Sequence, residues 1–263
     1  MTGASEIELP LIVERDGGVL LLTLNRPSRL NALTSELIQM LGGAICDARD
    51  DDEIRVIVIT GAGDRAFCSG TDLKDGPSVS GIADQLSSLP IHLSRGLEVF
   101  KPIVAAINGY ALGGGLELAL ACDLRVASSS ASFGFPEVGI GSIPGAGGTQ
   151  RVIRQIPRAL AMRMLLVGDR VGAELAQKWG LVSDVYAADE LRGEAMRLAK
   201  RIASNAPLST QAIKQAVSLG ADLPLSEAMR FERAIFNLLR DTEDRVEGRE
   251  AFREKRAPRF TGR

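Results

Sequence analysis

Two glutamates stand where their neighbours make a merely decorative carboxylate hard to explain. Glu117 lies among Leu116, Leu118, Ala119, Leu120 and Ala121, directly after the three glycines at 113–115. A carboxylate in apolar surroundings is costly unless it is paired or hydrogen-bonded, so proton transfer is one reading of it. The plainer reading is a first-turn acid complementing a helix dipole. Glu137 follows Pro136, with Gly134 before it and Gly139 and Gly141 after it, as expected of a loop that aims one side chain. Taken alone it would pass for a solvated loop acid, and its weight comes from the partner segment. Two such carboxylates can divide general acid and general base work between them. Glycines 113–115 add a second possibility: without Cβ, the backbone can present N–H groups to a negatively charged oxygen at the start of a helix. They could equally let a strand and a helix pack closely.

Other chemistries have few residues to run on. The chain has one histidine, His92, in a polar stretch beside Ser87, Ser88 and Pro90, so a Ser-His or Cys-His pair would depend on it and a two-histidine metal site is impossible. The three cysteines, Cys46, Cys68 and Cys122, are scattered and not in CxxC pairs, which fits a reducing compartment and makes zinc an unexpected ligand. Thirty-one basic against thirty-three acidic residues give a net charge of -2, so no overall field recruits nucleic acid. The basic residues Arg249, Arg253, Lys255, Arg256 and Arg259 interleave with Glu243, Asp244, Glu247, Glu250 and Glu254, the pattern of a solvated helix rather than an RNA-binding face. The first residues carry acids and no long apolar run, unlike a secretory or transit peptide, and no stretch is long enough to span a membrane; cytoplasm is the expected location.

The elements that must position these residues alternate in type. Runs at 18–25, 55–60, 103–107 and 124–128 are β-rich, each followed by a loop bearing Gly, Asn or Pro, with apolar-periodic helices expected at 33–48 and 113–122. This is an α/β pattern. After about 150 the strand signals fade and helical spacing covers 158–167, 173–179, 189–204, 207–218 and 225–239, with breaks expected before Pro207 and Pro224. The helix at 225–239 carries more apolar positions than one stripe needs, which suggests packing beyond its own chain. One strand-turn segment, Gly61-Ala62-Gly63-Asp64-Arg65-Ala66, matches a relaxed dinucleotide fingerprint, but the residues after it are poor helix formers, so Gly61 and Gly63 are read as turn glycines.

GYALGGGLELALACD (109–123) followed by FGFPEVGIGSIPGAGGTQR (133–151) closely resembles the enoyl-CoA hydratase/isomerase (crotonase) family. The likeness extends to LNRPSRLNAL (24–33), AFCSGTDLK (66–74), GDRVGAELAQKWGLVSDV (168–185) and TEDRVEGREAFREKR (242–256), nearly the whole chain. The resemblance implies a crotonase-like spiral of ββα repeats over 1–200 and a helical region over 201–263 that joins subunits into a homotrimer or a homohexamer. It implies an acyl-CoA thioester substrate and no cofactor beyond that coenzyme A, with no metal, nucleic acid or membrane involved. Glu117 and Glu137 would flank the double bond, and the backbone N–H groups of Thr71 and Gly114 would form an oxyanion hole. Leu30, Gly70, Asp72, Leu73, Lys74 and Gly145 would line the substrate. Thr71 stands where relatives often carry alanine or glycine, and its branched side chain would narrow the pocket. The implied reaction is reversible hydration of a 2-enoyl-CoA to a 3-hydroxyacyl-CoA in fatty-acid or branched-acyl β-oxidation. Its rivals are a Δ3,Δ2-enoyl-CoA isomerase, which can run on one carboxylate, and a methylglutaconyl-CoA-type hydratase, suggested by GGGLELALACD and the EKR-x-P-R ending. A non-catalytic RNA-binding relative is the reading from a different class.

Overall fold

The apolar runs of the sequence are strands buried on both faces, which is why they read as continuous rather than alternating. A computed structural model describes residues 9–72 and 97–263. Its larger sheet places six strands side by side in the order β1 (Leu11–Asp16), β2 (Val19–Leu24), β3 (Val56–Gly61), β5 (Ile103–Ile107), β7 (Leu124–Ser128) and β10 (Asp184–Tyr186). The first two form an antiparallel hairpin turned at Gly17, whose φ is +58°, and all later neighbours are parallel. A smaller sheet holds β4 (Ala66–Cys68), β6 (Tyr110–Leu112), β8 (Ser132–Gly134) and β9 (Val171–Gly172).

The chain therefore spirals. Three successive passes each lay one strand in the larger sheet and the next in the smaller one, as β3 then β4, β5 then β6, and β7 then β8. The corner between β5 and β6 is made by Gly109, where a Cβ would lie 2.7 Å from the Ala66 nitrogen. Any larger residue would push the two sheets apart.

Alternate residues of the larger sheet face two cores. Leu22, Leu24, Ile57, Ile59, Ile103 and Ile107 pack toward the helix α1 (Ser35–Asp50) with its buried stripe Leu37, Leu41 and Ile45. Val19, Leu21, Val56, Val58, Val104 and Val126 face the other way, against Leu191, Ala195 and Ala199 of a second helix at 191–203. The start of α1 is capped by Thr34, whose hydroxyl accepts from the Leu37 N–H at 3.2 Å. Its end is capped by Lys101, whose buried ammonium donates to the carbonyls of Ala48 at 2.8 Å and Asp51 at 2.6 Å.

After β6 come α2 (Gly114–Ala121), α3 (Gly148–Gln155), α4 (Arg158–Val167), α5 (Ala173–Trp179) and α6 (Leu191–Ala203). The last helices are α7 (Pro207–Gly220), α8 (Leu225–Leu238) and α9 (Glu243–Glu254). Pro207 opens α7 and Pro224 immediately precedes α8, as the sequence pattern requires. The helical expectation after 150 omits two short strands, β9 and β10, which add to the edges of the two sheets. Strands of two or three residues carry no readable period. Lys214 of α7 ties the helical end to the spiral through Asp123 at 2.8 Å and the Lys101 carbonyl at 2.9 Å. The basic run near the end is ion-paired, Arg256 binding Glu247 and Glu254, each at 2.6 Å.

Candidate active site

The glycines at 113–115 are the entry to α2, and packing requires two of them, Gly113 and Gly115. Gly113 caps the helix with φ +51°, and its N–H donates to the Gly134 carbonyl at 2.9 Å, which fixes the helix start against the end of β8. A Cβ on Gly115 would strike the Cys68 carbonyl. Gly114 is the first helical residue, so its N–H has no acceptor within the helix.

Glu117 sits in the first turn of α2 and is buried, with 4% of its surface exposed. Its Oε1 accepts two backbone hydrogen bonds, from Ala146 at 2.6 Å and Gly148 at 2.8 Å. Both donors belong to the glycine-rich approach to α3, and Arg151 braces that approach by donating to the Ala146 carbonyl at 2.9 Å. Gly148 has no room for a side chain: a Cβ would lie 2.7 Å from the Phe135 ring, 2.8 Å from Pro144 and 3.0 Å from Glu117 Cγ. One oxygen of Glu117 is thus committed to the scaffold. The burial cost expected from sequence is met by hydrogen bonds, as it must be.

Glu137 lies on a single 3-10 turn at Pro136–Ile140, leaving β8 just beyond Gly134. Its carboxylate reaches across to the start of α2, where a Cβ on Gly113 would come within 2.8 Å of its Oε1. Its Oε2 is buried and, among the described residues, has no hydrogen-bond partner. Burial pushes the Glu137 carboxyl above the usual carboxylate range, and the nearby charge of Glu117 adds to the effect. The solvated-loop reading of this residue is therefore set aside.

Thr71 and Gly114 come together as a pair of donors. Leu33 bridges the strand-like segment at 70–72, its N–H donating to Gly70 at 2.8 Å and its carbonyl accepting from Asp72 at 2.9 Å. Because alternate peptides of an extended segment point to opposite sides, the Thr71 N–H is directed away from Leu33. It faces α2, where a Cβ on Gly114 would lie 3.5 Å from the Thr71 nitrogen. Gly70, at φ +104°, makes this approach possible, for a Cβ there would sit 3.4 Å from the Gly114 nitrogen and 3.1 Å from the Leu112 carbonyl. Two N–H groups thus lie side by side at the positive end of a helix, beside two carboxylates. Such a cluster can stabilise charge developing on a carbonyl oxygen while moving protons at adjacent carbons.

The remaining expected residues frame the cluster. Leu30, at φ +51°, gives its carbonyl to the Ser69 N–H at 3.0 Å, and Asp72 pairs with Arg26 at 3.1 Å. Gly145 is exposed and immediately precedes Ala146. Leu73, Lys74 and His92 lie outside the described residues. Sequence reasoning missed three supports: the Ala146 and Gly148 N–H groups, and Asn31. The Asn31 side chain, fully buried, donates to the carbonyls of Ala62 at 3.0 Å and Ala66 at 2.8 Å and accepts from the Arg26 N–H at 2.9 Å.

The dinucleotide-like turn has no capacity for phosphate. Asn108 accepts from the Gly61 N–H at 3.2 Å and donates to the carbonyls of Gly61 at 2.9 Å and Gly63 at 2.7 Å, and strand β4 follows where a helix would be needed. A groove of about 940 Å³ is lined by Phe236, Asp244, Phe252 and Phe260 and shares no residue with the carboxylate cluster.

The chain matches the family model described as enoyl-CoA hydratase/isomerase over residues 14–263. It is 47% identical over 260 residues to the (E)-benzylidenesuccinyl-CoA hydratase of Thauera aromatica, covering 97% of this chain and 100% of that one. It is 46% identical to the 2,3-dehydroadipyl-CoA hydratase of Escherichia coli over 96% of this chain and 99% of that one. Among solved structures, an enoyl-CoA hydratase from Bacillus anthracis superposes with a TM-score of 0.92 at 36% identity, covering 97% of this chain and 100% of the other.

Proposed function

The chain belongs to the enoyl-CoA hydratase/isomerase family, and from that premise we propose that it is an enoyl-CoA hydratase, adding water reversibly to a 2-enoyl-CoA to give a 3-hydroxyacyl-CoA. The observation that carries this reading is the juxtaposition of a pinned carboxylate, Glu117, with a carboxylate whose buried Oε2 is unpartnered, Glu137, beside the Thr71 and Gly114 N–H groups. The thioester oxygen accepts from those two N–H groups, which draws electron density from the double bond and makes Cβ electrophilic. Water held by the free oxygen of Glu117 attacks Cβ and gives its proton to that carboxylate. Glu137 delivers a proton to Cα as the enolate collapses, and a proton exchanged between the two glutamates through solvent restores the starting state. The raised proton affinity of Glu137 suits the donor role. An isomerase needs one shuttle carboxylate, so the pair favours hydration.

Leu30, Gly70, Asp72 and Gly145 belong in this reading to the substrate-facing rim. No cofactor is required beyond the coenzyme A of the substrate. Residues 1–200 form the catalytic spiral and 201–263 the assembly region. The exposed apolar side chains Leu225 at 75%, Leu238 at 78% and Phe252 at 86% support a trimer, single or paired. The three free cysteines support a reducing compartment, the cytoplasm in this reading.

The test is the absorbance of the conjugated enoyl thioester, followed with crotonyl-CoA and with 2,3-dehydroadipyl-CoA, the latter drawn from the name of the second relative above. We expect absorbance to fall on at least one of them. Unchanged absorbance with both, together with migration of a 3-enoyl double bond into conjugation, would replace hydration by isomerisation.

A further inference from the structure

Thr71 brings more to the donor pair than its backbone. Its Oγ1 lies on the same side of the residue as its N–H: the position a Cβ would take on Gly114 is 3.4 Å from Oγ1 and 3.5 Å from the nitrogen. The hydroxyl therefore faces the start of α2, beside the Thr71 N–H. Among the described residues it has no hydrogen-bond partner, while the Leu33 carbonyl and the Asp72 N–H satisfy each other. Leu33 Cδ1, 3.6 Å from the same position, closes the far side with an apolar wall. Thr71 is exposed, so the proton of its hydroxyl is free to turn toward an oxygen placed against the two N–H groups.

We propose that the Thr71 hydroxyl is a third donor of the oxyanion hole, hydrogen-bonding the thioester oxygen of the bound substrate and gaining strength as negative charge collects there. This rests on the enoyl-thioester reading of the site. The peptide of Thr71 is held by the Leu33 N–H on the Gly70 carbonyl at 2.8 Å, so changing the side chain leaves the backbone donor in place. The hydroxyl can then be tested by itself.

Three variants separate its chemistry from its bulk: Thr71→Val keeps the shape and removes the hydroxyl, Thr71→Ser keeps the hydroxyl and removes the methyl, and Thr71→Ala removes both. With whichever enoyl thioester the wild-type protein hydrates, Thr71→Val and Thr71→Ala should lose about tenfold or more in kcat with little change in KM, the lower end of what one oxyanion donor supplies. Thr71→Ser should stand well above both. Isotope-edited infrared spectra of a bound, carbonyl-labelled thioester give an independent readout, since loss of a donor raises the carbonyl stretching frequency. The proposal is overturned if Thr71→Val matches the wild type in both rate and frequency, or if Val and Ser variants fall together. A wild-type protein that hydrates no enoyl thioester would instead overturn the functional reading beneath it.

Discussion

The two halves of the site hold their carboxylates in opposite ways. The start of α2 and the approach to α3 grip Glu117 by two N–H donors on one oxygen, inside a shell so tight that Gly148 admits no Cβ. The turn at 136–140 holds Glu137 by little more than its own backbone, with open space where Cβ atoms would stand on Gly139 and Gly141 and no partner for Oε2. A base that must orient water is best fixed in place. A proton donor is best left without partners that stabilise its charge, so that its proton affinity stays raised. Rigidity and isolation are two ways to tune one chemical group, and the difference lies in the backbone around each glutamate, not in the glutamates.

The sharpest way to break this contrast is to remove each charge in turn. Glu117→Gln and Glu137→Gln should each lower kcat by about 10²-fold or more, the scale of a general acid or base, with circular dichroism unchanged. They should part in their pH profiles. Hydration needs Glu137 protonated, and its carboxyl sits above the usual range, so wild-type kcat should fall as pH rises through that value. Glu117→Gln should retain this alkaline limb at reduced height and Glu137→Gln should lose it. Identical profiles for the two variants would mean that the roles are not divided.

A smaller effect should follow from loading the shells. Gly148→Ala places a methyl 2.7 Å from Phe135 and 3.0 Å from Glu117 Cγ. Overpacking of this kind costs about 1–3 kcal/mol, and here it also displaces the base, so kcat should drop about tenfold or more. Gly139→Ala, with no atom within 4 Å of its new methyl, should change stability by less than about 0.5 kcal/mol, as surface substitutions do. Thermal melts and steady-state rates of the pair measure the asymmetry; equal losses would erase it.

Much of this site could be read before the fold. Glu117 declared itself through its apolar neighbours, Glu137 through Pro136 and the flanking glycines, and the family resemblance assigned Thr71 and Gly114, which the structure brings face to face. What stayed hidden was carried by backbone. Ala146 and Gly148 hold the base through their N–H groups, which every residue but proline possesses, so no letter of the sequence marks them. Nothing in the sequence marks Asn31 and Asn108 as the residues whose amides stitch one turn of the spiral to the next. The long strands and amphipathic helices were legible because burial on both faces or on one stripe repeats over many residues. Strands β4, β6 and β8 are three residues each and have too little length to show a period.

The smallest expected effect concerns stability, and its sign discriminates. For an acid whose folded-state pKa is raised, as for Glu137, the native state binds the proton more tightly than the unfolded chain does. The resulting stabilisation is fully present below the unfolded pKa, near 4.5, and is lost as pH rises through the folded value. Once the pH has passed the folded value, the wild type bears an ionised carboxylate in a place that resists charge. Glu137→Gln removes that penalty, so its melting temperature should match or exceed the wild type at pH 7, with the advantage shrinking on acidification toward pH 4. Glu117→Gln should go the other way at pH 7, because an amide oxygen accepts from Ala146 and Gly148 more weakly than a carboxylate does. Melting curves of both variants across this range would separate a carboxylate kept isolated from one kept anchored, and a Glu137→Gln protein that melts well below the wild type at pH 7 would show that its side chain serves the fold after all.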